Sequence, residues 1–290
     1  MSKRKRRNRR SRKASIRIAV LILIIILSVS ISTAFANAQG KFDAGLFTIL
    51  FIVFVLGFGI LFFVLSRPSI KGKMGERHVS KKLNRLANKY GGYVIDDVII
   101  PGENDKTSQV DHIYVNNSGV YVIETKNYSG RIYGNDNQRE WTQVLAYGKT
   151  KNKLYNPVMQ NKTHIYRLQQ TLDIKVNFIS VVIFVKGNID YINSESVFTF
   201  KELKRLIKNG NHHLNDDNVE RIYFTLMDYK TNPVKTNKEH IKEIKQTQKD
   251  IKNNICPRCG GNLVLRKAKD SGSLFYACEN YPRCTFIKKK

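Results

Sequence analysis

The chain has 290 residues, a formal net charge of +27 and four cysteines. Apart from two apolar segments and a short C-terminal module, this length leaves room for one main soluble domain with a single core. The positive charge favours binding to polyanions, such as nucleic acid or an anionic membrane face, and does not choose between them. All four cysteines lie between Cys256 and Cys284, which argues against a disulfide framework spread through the fold.

The N-terminal region begins with a basic tail, residues 1–17, which holds ten of the 50 lysines and arginines and no acid. The next two apolar runs, 18–35 and 46–65, carry no charge and are each about long enough to cross the hydrocarbon core of a membrane. We interpret both as transmembrane helices. For the first run a cleaved secretory signal is the alternative, because Ala-Phe-Ala at 34–36 also fits a cleavage site.

The orientation of this transmembrane hairpin follows from its flanking charges. The connection 36–45 holds one lysine and one aspartate, whereas Arg67, Lys71 and Lys73 follow the second run. Positive charge stays on the cytoplasmic side, so both ends of the hairpin are expected there. A cleaved signal would leave residues 66–290 on the same side. We therefore predict a protein of the bacterial cell membrane with two spans and cytoplasmic N- and C-termini.

The soluble part begins with a helix and a hairpin. Apolar residues recur at helical spacing over 75–90, and two glycines follow as a stop signal. Three β-rich runs come next, at 93–100, 109–115 and 120–126. The Asn-Asn-Ser-Gly connection at 116–119 makes the last two runs a hairpin.

Residues 70–230 are predicted to form one α/β domain. A polar loop is expected over 129–139, a helix over 156–172 and a buried strand over 177–185, so helices and strands alternate. Residues 231–254 are rich in charge and poor in apolar positions, which predicts a solvated, partly helical linker.

The hairpin is predicted to bring two carboxylates together. Alternate side chains of a strand share a face, and an even-length turn at 116–119 pairs residues whose numbers sum to 235. Asp111 then lies opposite Glu124, with Lys126 further along the same face. Opposed like charges are destabilising unless a cation intervenes, and Mg²⁺ commonly takes one or two carboxylates, water and phosphate. An odd-length turn would break this register and leave a solvated face with an ordinary Glu124–Lys126 pair.

Four sequence blocks resemble the nuclease-related domain, NERD. They are GER at 75–77, QVDHIYV at 109–115, GVYVIETKNYSG at 119–130 and NPVMQN at 156–161. That family is grouped with the PD-(D/E)XK nucleases, so the resemblance implies an α/β fold of the restriction-endonuclease type, a mixed sheet flanked by helices.

The resemblance also implies the roles of five residues. Asp111 and Glu124 take the metal positions for Mg²⁺ or Mn²⁺, and Lys126 joins them in the catalytic set. Glu76 is the helix-borne acid, with an ordinary helix N-terminal acid as its alternative. Gln160 is implied near the substrate or metal, although alone it could be a helix surface residue.

The C-terminal module, residues 255–290, contains two pairs of cysteines. Cys256, Cys259, Cys278 and Cys284 have the spacing of a tetrahedral zinc site, in which four thiolates leave no open position and the metal is structural. Two disulfides are the alternative, which the reducing cytoplasm disfavours.

This module is similar to the zinc ribbons at the C-terminus of bacterial type I topoisomerases, which bind single-stranded DNA. The resemblance implies nucleic-acid contacts from basic and aromatic side chains, which suit base stacking beside backbone neutralisation. These are Arg266, Phe275, Tyr276, Tyr281, Arg283 and Phe286. The alternative is that the aromatic residues form the small core of the ribbon.

The leading hypothesis is a membrane-anchored, metal-dependent nuclease that acts on DNA or RNA, with DNA favoured, and whose zinc ribbon binds the nucleic acid. One rival is a membrane-tethered nucleic-acid-binding protein without catalysis. Another is a protein-interaction module whose basic tails contact anionic lipid.

Overall fold

The computed structural model describes residues 44–102, 106–172, 176–268 and 272–289. The chain divides into two compact units, Met1–Met74 and Gly75–Lys290. The predicted first span, 18–35, lies outside the described residues.

The described part of the first unit contains helix α1, Ala44–Leu65, which covers the predicted second span. Large apolar side chains along α1 are exposed, among them Phe54, Phe58 and Phe62. In the described ranges no single helix meets the length and hydropathy criteria for a membrane span, whereas Phe51–Val64 and Pro68–Tyr90 meet them together as a bent pair. The transmembrane hairpin stays a prediction.

Helix α2, Pro68–Tyr90, begins seven residues before the predicted start. Val79 and Leu83 are buried along one side of it, as the helical spacing of apolar residues predicted. The helix ends before Gly91, and both Gly91 and Gly92 have positive φ angles (+77° and +93°) that side chains rarely adopt.

The main sheet is mixed and has eight strands. Strands β1 to β5 are neighbours in chain order and antiparallel. Strand β6 runs parallel to β3 and to β8, and β7 runs parallel to β3. The strands are β1 (Tyr93–Pro101), β2 (Thr107–Asn116), β3 (Gly119–Asn135), β4 (Glu140–Leu145), β5 (Thr150–Tyr155), β6 (Phe178–Asn188), β7 (Ile192–Asn193) and β8 (Val197–Phe198).

The β2–β3 hairpin has the predicted register. His112 pairs with Ile123, and the pairing continues to Asn116 with Gly119, so the paired residue numbers sum to 235. The turn is closed by Asn116, whose Oδ1 accepts the Ser118 N–H at 3.0 Å. The predicted faces are confirmed as well, because Ile113, Val115, Val120 and Val122 pack in one cluster and Tyr114, Tyr121 and Ile123 in another.

The predicted loop at 129–139 is wrong over most of its length. Strand β3 continues to Asn135 and pairs with β4, with Arg131 opposite Val144 and Tyr133 opposite Thr142. Its pairing with β6 shifts register between Lys126 and Arg131, and the irregular stretch contains Gly130 at φ +82°. The polar composition concealed a strand whose one buried face carries Ile132, packed with Trp141.

Helices cover both faces of the sheet. Helices α3 (Pro157–Thr171) and α5 (Asp216–Thr231) pack on the face of Val120 and Val122. Helices α2 and α4 (Phe200–Lys208) pack on the opposite face. Helix α3 begins within one residue of the predicted start, and its N-cap is Asn156, whose Oδ1 accepts the Val158 N–H at 2.8 Å. The predicted mixed sheet flanked by helices is confirmed.

The segment predicted as a linker contains helix α6, Asn237–Lys252, which contacts the main domain. His240 is buried, with Nδ1 2.7 Å from the Thr107 Oγ1, and Glu243 accepts the Thr107 N–H at 3.3 Å. Beyond α6 lies a three-stranded antiparallel sheet, β9 (Leu263–Lys267), β10 (Leu274–Cys278) and β11 (Ile287–Lys289).

Candidate functional site

Asp111 and Glu124 lie on adjacent strands, one residue beyond the last pair of the ladder, His112 with Ile123, and continuing the register by one residue sets them opposite each other. The Thr125 N–H donates to Asp111 Oδ2 at 2.8 Å. Burial and the charge of Glu124 raise the pKa of Asp111 well above its ordinary value, and the Thr125 N–H opposes the rise. The pair therefore has difficulty carrying two negative charges in the absence of a cation.

Glu124 is the more buried of the two carboxylates, with 2% of its surface exposed. Its Oε1 lies 2.5 Å from Lys126 Nζ, and its Oε2 lies 3.3 Å from His164 Nε2. Burial raises the pKa of Glu124, but His164 and Lys126 outweigh it and the net pKa is lowered. Within the described residues, Glu124 Oε2 forms no hydrogen bond of good geometry. The Glu124 carboxylate therefore lies between Lys126 and His164, and its Oε2 is a buried oxygen without a hydrogen bond of good geometry.

Lys126 is a mostly buried ammonium held by two acceptors. Its Nζ donates to Glu124 Oε1 and, at 3.0 Å, to Gln160 Oε1. Burial lowers the pKa of Lys126, but the adjacent Glu124 charge outweighs burial, so the net pKa is raised. The amine stays charged, and a lysine has a third N–H to offer.

Helix α3 brings Gln160 and His164 to the carboxylates from one side. The helix is anchored to the sheet by Asn161, whose Nδ2 donates to the Val122 carbonyl at 2.7 Å. His164 Nδ1 lies 2.7 Å from Ser108 Oγ on β2, which orients the ring so that Nε2 points at Glu124. His164 was not among the predicted site residues, although its position one turn after Gln160 could have placed it on the same helix face.

Glu76 lies near this group, on α2. Its charge raises the pKa of Asp111, after burial and the stronger effect of Glu124. The preceding residue, Gly75, is packed so closely that a Cβ there would lie 2.9 Å from Asn127 Cβ. A glycine is needed at this position to let α2 approach β3. The structure therefore brings four of the predicted catalytic residues together, and the charge of the fifth, Glu76, acts on Asp111.

The donor set suits a hard divalent cation. Mg²⁺ is usually bound by one or two carboxylates, with water and substrate phosphate completing its shell. Asp111 and Glu124 supply two carboxylates, and the unsatisfied Glu124 Oε2 is the buried oxygen that a cation would use. In the described part of the chain, the four cysteines are the only group of three or more His, Cys, Asp or Glu with mutually close ligand atoms.

The four cysteines form the second candidate metal site. The ligand atoms of Cys256, Cys259, Cys278 and Cys284 lie within 4.8 Å of one another, and no disulfide joins them. The closest pairs are Cys259 with Cys278 at 3.3 Å and Cys256 with Cys284 at 3.6 Å. Sulfurs about 2.3 Å from a tetrahedral zinc are about 3.8 Å apart. The cluster supports a structural Zn²⁺.

The predicted nucleic-acid contacts of the ribbon divide into two groups. Tyr276 and Phe286 pack against the cysteines and Leu263, as the core alternative anticipated. Phe275 instead lies opposite Arg266 on the other face of the ribbon sheet. Tyr281 is 60% exposed and Arg283 is exposed beside the cysteines. The ribbon therefore presents four of the six predicted residues for binding.

Two family models match the chain. Residues 71–185 match the nuclease-related domain, and residues 253–290 match the topoisomerase DNA-binding C4 zinc finger. Both resemblances predicted from the sequence are confirmed. No solved structure matches.

The relatives are of two kinds, an uncharacterised protein and two DNA topoisomerases. An uncharacterised protein of Bacillus anthracis is 33% identical over 181 residues, which are 60% of this chain and 84% of that protein. DNA topoisomerase 1 of Archaeoglobus fulgidus is 58% identical over 31 residues, 11% of this chain and 4% of the topoisomerase. The same enzyme of Methanocaldococcus jannaschii is 38% identical over 45 residues, 16% of this chain and 6% of the enzyme. The chain therefore contains a nuclease-related domain (NERD) and a topoisomerase-type C4 zinc ribbon.

Proposed function

We propose that the chain is a metal-dependent nuclease that hydrolyses phosphodiester bonds at the site formed by Asp111, Glu124 and Lys126. The observation that carries the proposal is the opposition of a half-buried and a buried carboxylate, Asp111 and Glu124, with a lysine bound to the second. Such an arrangement is destabilising in a protein that uses it only for packing. It is useful in one that binds a cation and a phosphate.

In this mechanism Asp111 and Glu124 would hold Mg²⁺ or Mn²⁺. When bound, the cation would supply Lewis-acid stabilisation and a more acidic bound water. Lys126 would orient the attacking water and offset phosphate charge with its remaining N–H. Gln160 holds Lys126 in place, and His164 orients Glu124. Glu76 adds negative charge that strengthens cation binding.

The fold supports this proposal. The acids lie on neighbouring strands of a mixed sheet flanked by helices, as the resemblance to restriction-endonuclease-like enzymes implied. Val110, the residue before Asp111 and the position where the wider group usually has proline, is fully buried in the core. Its packing is compatible with the same strand geometry.

The zinc ribbon is proposed to bind the nucleic acid, with DNA favoured. Its match to a topoisomerase DNA-binding zinc finger supports this role. The exposed positions Arg266, Tyr281 and Arg283, with Phe275, combine cations with aromatic rings, a composition suited to single strands.

We also propose that the N-terminal region anchors the chain in the cell membrane, with both termini in the cytoplasm. The uncharged runs 18–35 and 46–65 and the basic residues that flank them support this proposal. Recovery of the full chain in the membrane fraction after a high-salt wash would support it. Recovery in the soluble fraction would contradict it.

The second candidate function is nucleic-acid binding without catalysis. It is favoured because, in the described ranges, Asp111 and Glu124 belong to no group of three or more His, Cys, Asp or Glu whose ligand atoms are all mutually close. It predicts binding that is unchanged by Lys126→Ala and by removal of magnesium, with no cleavage in any variant.

A cleavage assay separates the two candidates. The full chain, purified in detergent with zinc, is incubated with single-stranded, double-stranded and branched DNA and RNA, with and without Mg²⁺. The nuclease proposal expects magnesium-dependent cleavage that Asp111→Ala abolishes. It fails if the wild-type chain cleaves none of these substrates, or if Asp111→Ala cleaves as well as wild type.

A further inference from the structure

The antiparallel extension formed by β3, β4 and β5 has an open, basic face. Arg131 lies opposite Val144, which lies opposite Lys151, and Tyr133 lies opposite Thr142, which lies opposite Lys153. Directly opposed residues point to the same side of a sheet. We call the surface that they form the basic face; its residues are Arg131, Tyr133, Thr142, Val144, Lys151 and Lys153.

The basic face is the outward side of the extension. On the opposite side Ile132, Trp141 and Gln143 are buried. Arg131, Lys151 and Lys153 are exposed, and among the described residues no carboxylate oxygen lies within 4.0 Å of their cationic nitrogens. The acid Glu140 lies at the far end of the face, opposite Tyr155. The cations are therefore available to an anionic partner.

Aromatic rings lie on and beside the basic face. Tyr133 stacks on Tyr191, with ring centroids 4.6 Å apart and planes inclined by 25°. Interactions with Tyr133 and then Tyr191 raise the pKa of the Arg131 guanidinium. At the tip between β4 and β5, Tyr147 is 99% exposed. Its φ of +54°, after Ala146 at +50°, is a strained conformation of the kind that collects at functional positions.

A purely structural explanation covers only part of this surface. Lysines on an edge strand prevent pairing with another chain, and Lys151 and Lys153 lie on the edge strand β5. Arg131 and Tyr133 lie on β3, which is paired within the sheet and needs no such protection. The same strand carries Glu124 and Lys126 in its first half. The basic face is thus continuous in sequence with the candidate catalytic strand.

We propose that the basic face binds single-stranded nucleic acid, independently of the zinc ribbon. Its cations would contact successive phosphates, while the exposed rings of Tyr191 and Tyr147 would stack on bases. The inference rests on the proposed function only in treating this nucleic acid as the substrate.

Binding of a labelled single-stranded oligonucleotide to the zinc-loaded full chain in detergent tests the proposal. The test variant is Arg131→Ala/Lys151→Ala/Lys153→Ala. The matched control is Lys201→Ala/Lys204→Ala/Lys208→Ala, which removes the same charge from exposed positions of α4. Both are made in a background of Arg266→Ala and Arg283→Ala, so that the ribbon contributes less. Thermal melting checks that each variant is folded.

The test variant is expected to bind about tenfold more weakly than its background. The slope of log affinity against log salt should fall by about two, because each phosphate contact to a single strand contributes about 0.7. The control should change neither quantity to this extent. Equal effects of the two variants, or none in the test variant, would overturn the proposal. The proposal would also be overturned if the test variant weakened binding to double-stranded nucleic acid alone.

Cleavage by the same preparations separates this inference from the proposed function. If wild type shows no magnesium-dependent cleavage while the test variant alone loses binding, the nuclease proposal fails and the basic face stands as a binding surface. If wild type cleaves and the test variant binds like the control, the basic-face proposal fails alone.

Discussion

Two polar clusters lie on opposite faces of the β2–β3 hairpin, and the neighbouring residues Asp111 and His112 belong to different ones. The second cluster consists of Ser80, Asp96 and His112. Each carboxylate oxygen of Asp96 has its own partner there, Ser80 Oγ at 2.5 Å and His112 Nδ1 at 2.6 Å. Burial raises the pKa of Asp96, but these two hydrogen bonds outweigh it and the pKa is lowered.

The Asp111 cluster differs in how it treats its negative charge. Asp111 has a raised pKa, and Glu124 has a buried oxygen without a hydrogen bond in the described structure. The unmatched atom of the second cluster is a ring nitrogen, His112 Nε2. In a polar cluster that serves stability, each carboxylate oxygen has a hydrogen-bond partner. The Asp111 cluster instead places two carboxylates together with one lysine. The comparison supports the proposal that the Asp111 cluster binds a cation.

The largest effect is expected for Glu124→Gln, which keeps the shape of the site and removes its charge. Cleavage should fall by about 10³-fold, the order of loss when a key electrostatic group is removed from an active site. Nucleic-acid affinity should change little, because the basic surfaces are intact. Cleavage rates under single-turnover conditions measure the effect. Comparable cleavage by Glu124→Gln and wild type would remove Glu124 from the mechanism.

A smaller loss is expected when His164 is changed, since it acts through Glu124. His164→Ala should lower cleavage about 10- to 100-fold, as groups that orient metal ligands commonly do. His164→Gln, which can still place a donor near Glu124, should recover part of the loss. Titration with Mn²⁺ should show weaker binding in the alanine variant. Unchanged Mn²⁺ affinity in His164→Ala would make the histidine a packing residue.

On the opposite face, Asp96→Asn should reduce stability and leave cleavage unchanged. The expected cost at neutral pH is about 1–3 kcal/mol in the free energy of unfolding, from weakened hydrogen bonds of a charged group. Because the folded pKa of Asp96 is lowered, its contribution is present above the unfolded pKa and is lost as pH falls through the folded value. Denaturant melts across acidic pH measure it. A pH-independent cost would contradict the ionised state.

The smallest effect, of opposite sign, is expected for Asp111→Asn in magnesium-free buffer. The raised folded pKa of Asp111 means that its carboxyl destabilises the fold increasingly as pH rises from the unfolded pKa through the folded one. Removing one of two opposed charges should therefore stabilise the magnesium-free chain by about 1 kcal/mol at neutral pH. Denaturant melts give the value. A loss of stability at neutral pH would show that the two carboxylates are not in conflict.

Much of this comparison could be predicted from the sequence because it depends on local rules. The two-residue turn fixed the register, and alternation then placed His112 away from Asp111. The N-cap Asn156 and the following proline located the start of α3. The spacing of the cysteines similarly predicted the cluster that the structure contains.

Features that depend on tertiary packing could not be read in this way. Strand β3 beyond Lys126 has one buried face and an irregular register, so its polar residues resembled a loop. The role of His164 depends on Ser108 and Glu124, which come from two other elements. His240 contacts Thr107, which is far from it in sequence, and it does so from a helix that was predicted to be solvated. Each requires knowledge of which elements pack together.

The central claim, that Asp111 and Glu124 form a cation site, is tested most directly by calorimetric titration of Mn²⁺ into the zinc-loaded full chain. The account predicts one Mn²⁺ site in wild type and in Asp96→Asn, and its loss in Glu124→Gln. Absence of Mn²⁺ binding by wild type, or equal binding by Glu124→Gln, would contradict it.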